Sequence, residues 1–192
     1  RQEGTERWQS GLKKTVVIYK GSGINETIEK VGFTEDGKLS YRTEPGTDWK
    51  YNYYYSKSGV LLKEGALIKE AIYDGLWKWY HNNGHQIKAS GSFLNGYGSE
   101  TDHNGIPTNG REGLWTFWYE NGNKSDEVTY KDGLLDGLVT IWYENGQKNQ
   151  EIYKNAGVLD GFITAWYLNG NKSMSGMYKQ DTLFKLDTVW FE

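Results

Sequence analysis

The sequence predicts an all-β fold, an elongated array of β-hairpins stacked as a solenoid or rolled into one antiparallel meander. A phrase recurs at fixed spacing, each copy ends in a turn-forming Asn-Gly, and the composition is heavy in Gly (25), Tyr (15) and Trp (9) with thin helix-forming content.

The phrase is "GLWTFWYENG" at Gly113, repeated as "GLVTIWYENG" at Gly137 and "GFITAWYLNG" at Gly161, a period of 24 residues. One more step reaches Lys185, where "KLDTVWFE" keeps the Leu, Thr, Trp and aromatic columns but stops before an Asn-Gly. Backwards, "GLWKWYHNNG" opens at Gly75, 38 residues before Gly113, so one spacer carries 14 extra residues, placed at about 97–112 in "YGSETDHNGIPTNGRE". Weaker copies begin at Lys50 ("KYNYYYSKSG"), Ile28 ("IEKVGFTEDG") and Gln2 ("QEGTERWQSG"). The chain is therefore one array over 1–192, degenerate over 1–74 and regular over 75–192, with about eight units in all.

Each unit reads as a hairpin: a strand such as 114–120, a turn at Asn121-Gly122, then a more polar strand ending near "VTYKDG". Asn-Gly predicts a two-residue type I′ turn, which needs positive φ at both central positions. Asn83-Gly84, Asn145-Gly146 and Asn169-Gly170 repeat it, and a second turn is expected at the junctions Asp136-Gly137 and Asp160-Gly161. A lone hairpin is marginal in water, so the units must stack and bury aromatics against one another, with the outermost units as caps.

In register, the fifth residue after each opening position forms a column: Tyr55, Tyr80, Trp118, Trp142, Trp166 and Trp190. Alternation puts this column on one face with Leu114, Leu138 and Leu186 and with Thr116, Thr140, Thr164 and Thr188. The other face carries Trp115, Phe117 and Tyr119, then Val139, Ile141 and Tyr143, then Ile163, Ala165 and Tyr167. The Trp column is expected to be mainly core, so that Trp142 in an inner unit matters more to stability than Trp77. Its alternative is a partly exposed stripe that binds a partner, and aromatic ladders also suit sugar rings.

The Gly-x-Trp-x-x-Trp-Tyr-Glu-Asn-Gly phrase, followed by "YKDG" or "YKNAG" and then "LLDG" or "VLDG", resembles the MORN-repeat variant found in bacterial proteins of the YwqK-like antitoxin family, closely over 75–192 and loosely over 1–74. The resemblance implies a MORN-like hairpin array that acts as a binding or scaffolding module, brings no catalytic motif, and in some members neutralises a partner toxin.

A formal charge of −3 and a pI near 5.7 arise from singly scattered charges, so no basic stripe exists for nucleic acid. No apolar run approaches the roughly 18 residues of a membrane-spanning helix, and the absence of Cys removes disulfides and thiolate chemistry together. His81 and His85 straddle the "HNNGH" turn and could share Zn²⁺ with His103, but no neighbouring copy repeats the pair, and they are read as turn residues. Asp74, Asp136 and Asp160 recur at junctions and "TDHNG" offers Asp102 and Asn104; a calcium loop needs more acids than these, and turn chemistry accounts for them. With no nucleophile elbow, Walker loop or HExxH helix, the chain is expected to be no enzyme and to carry neither cofactor nor metal.

The expected function is a non-enzymatic protein-interaction or scaffold module in a bacterial envelope assembly. A toxin-neutralising antitoxin or immunity protein is the alternative, and a glycan binder the third. The candidate partner-binding residues are Tyr80, Trp118, Trp142, Trp166 and Trp190, with Asp102, His103 and Asn104 of the insertion. The insertion is expected to be an edge loop that tolerates shortening and carries specificity. Arg1 in place of an initiator Met, the missing Cys and the abundant Tyr, Trp, Asn and Thr lean towards an exported or envelope protein with an upstream leader or lipid anchor, against a cytoplasmic alternative.

Overall fold

The computed structural model describes residues 3–7, 13–19, 27–43, 49–56, 58–68 and 71–190, with side chains from Lys30 onward except that of Trp49. The degenerate units supply β1 (Glu3–Arg7), β2 (Lys13–Tyr19), β3 (Thr27–Phe33), β4 (Leu39–Thr43), β5 (Trp49–Tyr55) and β6 (Leu61–Ile68). The regular part supplies β7 (Ile72–Tyr80), β8 (Ile87–Tyr97), β9 (Arg111–Trp118), β10 (Lys124–Lys131), β11 (Leu134–Trp142), β12 (Lys148–Asn155), β13 (Val158–Trp166), β14 (Lys172–Lys179) and β15 (Thr182–Val189). All 15 form one open antiparallel meander in strict chain order.

A single layer can bury a core only by bending across its own face. The unit-opening glycines make that bend: Gly75, Gly113, Gly137 and Gly161 hold φ at 62°, 68°, 115° and 147°, where a Cβ is strained. Pairing slips near the bend at Tyr73/Gly75, Val128/Tyr130 and Ile152/Lys154, as bulged strands do. In a straight strand Tyr73 and Trp77 would stand about 13 Å apart, yet their ring centroids are 4.5 Å apart.

The crease holds the core. Trp77, Trp79, Phe93, Trp115 and Phe117 pack in ring contacts of 5.0 to 6.1 Å, and Val128, Val139 and Ile163 carry the buried face onward. The large indoles lie flat on mid-strand glycines: a Cβ on Gly65 would be driven into the Trp77 ring and one on Gly91 into the Trp115 ring. Each indole Nε1 then donates to the next carbonyl, Trp77 to Ala66 at 2.9 Å and Trp115 to Ser92 at 3.0 Å. The expected core face is thereby corrected. The residue two beyond each bend falls inside, whereas Trp118, Trp142 and Trp166 lie half-buried on the outer face and Trp190 is exposed.

The turns are exchanged relative to expectation. At "YENG", Tyr119 N–H donates to Asn123 O and Gly122 N–H to Tyr119 O, a three-residue loop in which Gly122 (φ 88°), and not Asn121, is left-handed. The Asn121 carboxamide oxygen instead accepts from Asn123 N–H at 2.9 Å. The same loop recurs at 143–147 and 167–171, and in the worn units at 34–38 and 56–60; the turn of the unit opening at Gln2 lies outside the described residues. Type I′ geometry belongs to the other end, at Asp132-Gly133 (φ 52° and 79°) and Ala156-Gly157 (47° and 86°). Asp136-Gly137 and Asp160-Gly161 lie within β11 and β13.

The insertion is a packed element and not a free edge loop. Asp102 to Ile106 repeats the three-residue loop, Thr101 bridges Pro107, and Ile106 is wholly buried against the core. Arg111, 3% exposed, anchors it: Nε donates to Pro107 O, Nη2 to Ile106 O and to Asp102 Oδ2 at 2.5 Å, and Nη1 to Tyr130 Oη. Two outcomes follow from this packing. In urea unfolding, Trp77→Ala is expected to cost about 3–5 kcal/mol and Trp142→Ala clearly less. Replacing 97–110 by a two-residue turn is expected to lower the melting temperature by several degrees, because Ile106 and the Arg111 partners leave with it.

Candidate binding surface

Much of the conspicuous phrase serves the joints between units. Tyr119 Oη donates to Trp142 O at 2.7 Å, Tyr143 Oη to Trp166 O at 2.8 Å and Tyr167 Oη to Trp190 O at 2.7 Å. His81 occupies the matching place in the unit before, with Nε2 2.9 Å from Trp118 O. Asn121 and Asn145 reach across to Glu144 O and Leu168 O, so the repeated Asn is kept for its amide donor as well as its turn. The acid before the bend supports the next type I′ turn: Glu112 accepts from Asp132 N–H and Asp136 from Ala156 N–H, while Asp74 accepts from Asn95 N–H near the start of the insertion.

The outer face carries three rows. The middle row is an unbroken cross-strand series, Thr116, Glu127, Thr140, Glu151, Thr164, Ser175 and Thr188. On one side is the Trp row, interleaved with lysines: Lys124 and Lys148 pair with Glu127 and Glu151 and place Nζ 5.7 Å from the Trp142 and Trp166 ring centroids. On the other side run Leu114, Leu138 and Phe162, each 50–63% exposed, whereas Leu186, expected beside them, pairs with Gly176 and so stands in the register of Ile163 on the inner side of the pairing slip. Tyr153 pairs with Leu138, and with Phe162 and Thr164 they line a largely apolar depression of about 390 Å³. Sequence reasoning placed Leu114 and Leu138 on the right face but chose the tryptophans beside them.

The other predicted residues separate. Tyr80 Oη donates to Glu64 Oε1 at 2.7 Å, and burial, then that bond, push its pKa far up. Tyr55 stands under Lys38 Nζ at 5.4 Å. Asp102 is spent on Arg111 and on the N–H groups of Asn104 and Ile106. His103 and Asn104, at the insertion tip, come together with His81, Lys88, Phe117, Glu120, Asp126, Ile141 and Glu144 around a cleft of about 460 Å³. His85 is exposed in its turn, so the imidazoles of "HNNGH" point to different surroundings. Among the described residues, no three His, Cys, Asp or Glu converge as a metal set, and no helix is long and apolar enough to cross a membrane.

Three segments, 73–93, 111–132 and 135–155, match the family model of the MORN repeat variant, and they coincide with the hairpins β7–β8, β9–β10 and β11–β12. Together they make up about a third of the 192 residues. No curated protein matches the chain. If the tyrosine bonds join the units, Tyr143→Phe should cost about 1 kcal/mol in urea unfolding, with faster amide exchange in β13 and β14 than in β7 and β8.

Proposed function

We propose that the protein is a non-enzymatic interaction module, a rigid hairpin scaffold that presents its outer face to a protein partner. The observation that carries this reading is the row Leu114, Leu138 and Phe162, large apolar side chains at least half exposed and aligned at alternate strands. Strands lie about 4.8 Å apart, so the row offers an apolar contact roughly every 10 Å along the array. Contiguous apolar surface of this kind marks association sites. Sugar stacking is less well served, because Lys124 and Lys148 stand by the Trp142 and Trp166 rings. The residues repeated every 24 positions serve turns, bends and joints, which supports a binding role over catalysis. The composition supports placing this module in a bacterial envelope assembly, a location that cell fractionation tests.

Leu138→Lys combined with Phe162→Lys alters side chains that already face solvent. It is expected to leave the melting temperature within about 2 °C while abolishing recovery of the proteins that crosslink to the native chain in the cells that make it. Undiminished recovery by the double variant would remove the outer row from the function.

A further inference from the structure

The cleft beneath the insertion tip has a lining the repeat does not explain. Phe117, Asp126 and Ile141 are direct partners across β9, β10 and β11, so the Asp126 carboxylate stands half-buried between two apolar neighbours. Among the described residues it has no hydrogen bond or ion pair. One and two periods later the position holds Gln150 and Met174, so the charge is no part of the architecture.

His81 departs from the repeat in the same place. Its side chain is 10% exposed and stands where the later units have the joint tyrosine. The Trp118 carbonyl can only accept, so Nε2 carries a proton, and in the neutral ring Nδ1 is left as an acceptor; Glu120, the carboxylate beside it, is 3.9 Å away, beyond hydrogen-bond reach. A tyrosine would bring no such second polar atom. Glu120 and Glu144 complete an acidic rim, and Lys88, the single Lys or Arg of the lining, donates to Asn104 O at 3.2 Å.

Acceptors short of donors above an apolar floor suit a flat cation with many N–H groups. The chain displays this solution a few ångströms away, where the Arg111 guanidinium lies 4.6 Å from the Trp115 ring centroid and 5.8 Å from that of Phe117 while paired to Asp102. We propose that the cleft receives an arginine side chain of the partner polypeptide, its guanidinium over Phe117 and paired with Asp126, with His81 Nδ1 and Glu120 accepting the remaining N–H groups. This names the partner chemistry at a second contact and rests on the interaction reading above.

The test titrates a blocked Gly-Gly-Arg-Gly-Gly peptide, with its lysine and citrulline counterparts, into the isotope-labelled full chain and follows backbone amide shifts. The arginine peptide is expected to move the amides of His81 and of 117–126 saturably, the lysine peptide to bind roughly fivefold more weakly, and the citrulline peptide not to saturate. Asp126→Asn should weaken the arginine peptide by a similar factor at unchanged melting temperature. Equal responses to arginine and citrulline overturn the proposal, as do shifts at Glu127 and Glu151 as large as those at the cleft. So does undiminished binding by a folded Asp126→Asn variant. The citrulline comparison uses the unaltered chain and stands even if the variant does not fold. A failed titration alongside partner capture that still depends on Leu138 and Phe162 overturns the cleft alone; capture that no longer depends on them overturns the outer-face reading.

Discussion

A sheet one layer thick has no second layer to bury its face against, so every other feature of this protein depends on the bend at the glycine that opens each unit. Positive φ there costs an L-residue about 1–2 kcal/mol and costs glycine almost nothing. Once the strand turns over, the residue two positions on falls into the crease: Trp77 after Gly75, Trp115 after Gly113, Val139 after Gly137 and Ile163 after Gly161. The core is thus graded, with fully buried indoles beside the insertion and smaller aliphatics towards β15, whose every residue is exposed. The insertion sits where the rings are largest, and Ile106 and Arg111 close the crease over them.

With the core confined to the inner face, the tyrosine and asparagine bonds can be understood as joints. Each links a side chain to a carbonyl one unit further along, so each hairpin positions the next. Such coupling between neighbours makes a repeat array rigid along its length. It also separates architecture from surface. Side chains that recur and are satisfied internally hold the array together, whereas the outer Leu/Phe row recurs without any internal use, and His81 and Asp126 break the repeat at a cleft.

The 24-residue period carried the hairpin array, its order and the position of the insertion, because a fixed period of turn residues leaves few alternatives. Alternation separated the two faces as far as β13, before the pairing slip that shifts Leu186, but could not say which was inside; the deciding signals were Gly65 and Gly91, mid-strand glycines on which Trp77 and Trp115 lie. The Asn-Gly turn type was misassigned because Asn-Gly suits both geometries, and the three-residue loop shows only in the backbone bonds of Tyr119 and Gly122 and in the Asn121 bond to the Asn123 amide. The insertion looked like a loop because its Ile106 and Arg111 acquire meaning only against Trp115, outside the inserted segment. The cleft draws residues from the units opening at Gly75, Gly113 and Gly137 and from the insertion, and its one legible trace was departure from the repeat: His in a tyrosine position, and Asp where later copies have Gln and Met.

Gly113 offers the most direct measurement of the bend, because a Cβ there meets nothing within 4 Å and backbone conformation alone decides the outcome. Semisynthesis can place either L-alanine or D-alanine at this position, with stability read by urea unfolding. At φ 68° the D-residue is unstrained, so it should match or slightly exceed the native stability by restricting the unfolded chain, while the L-residue should lose about 1–2 kcal/mol. Equal stability of the two chains, or the L-residue as the more stable, would contradict a core that depends on strands turning over at their opening glycines.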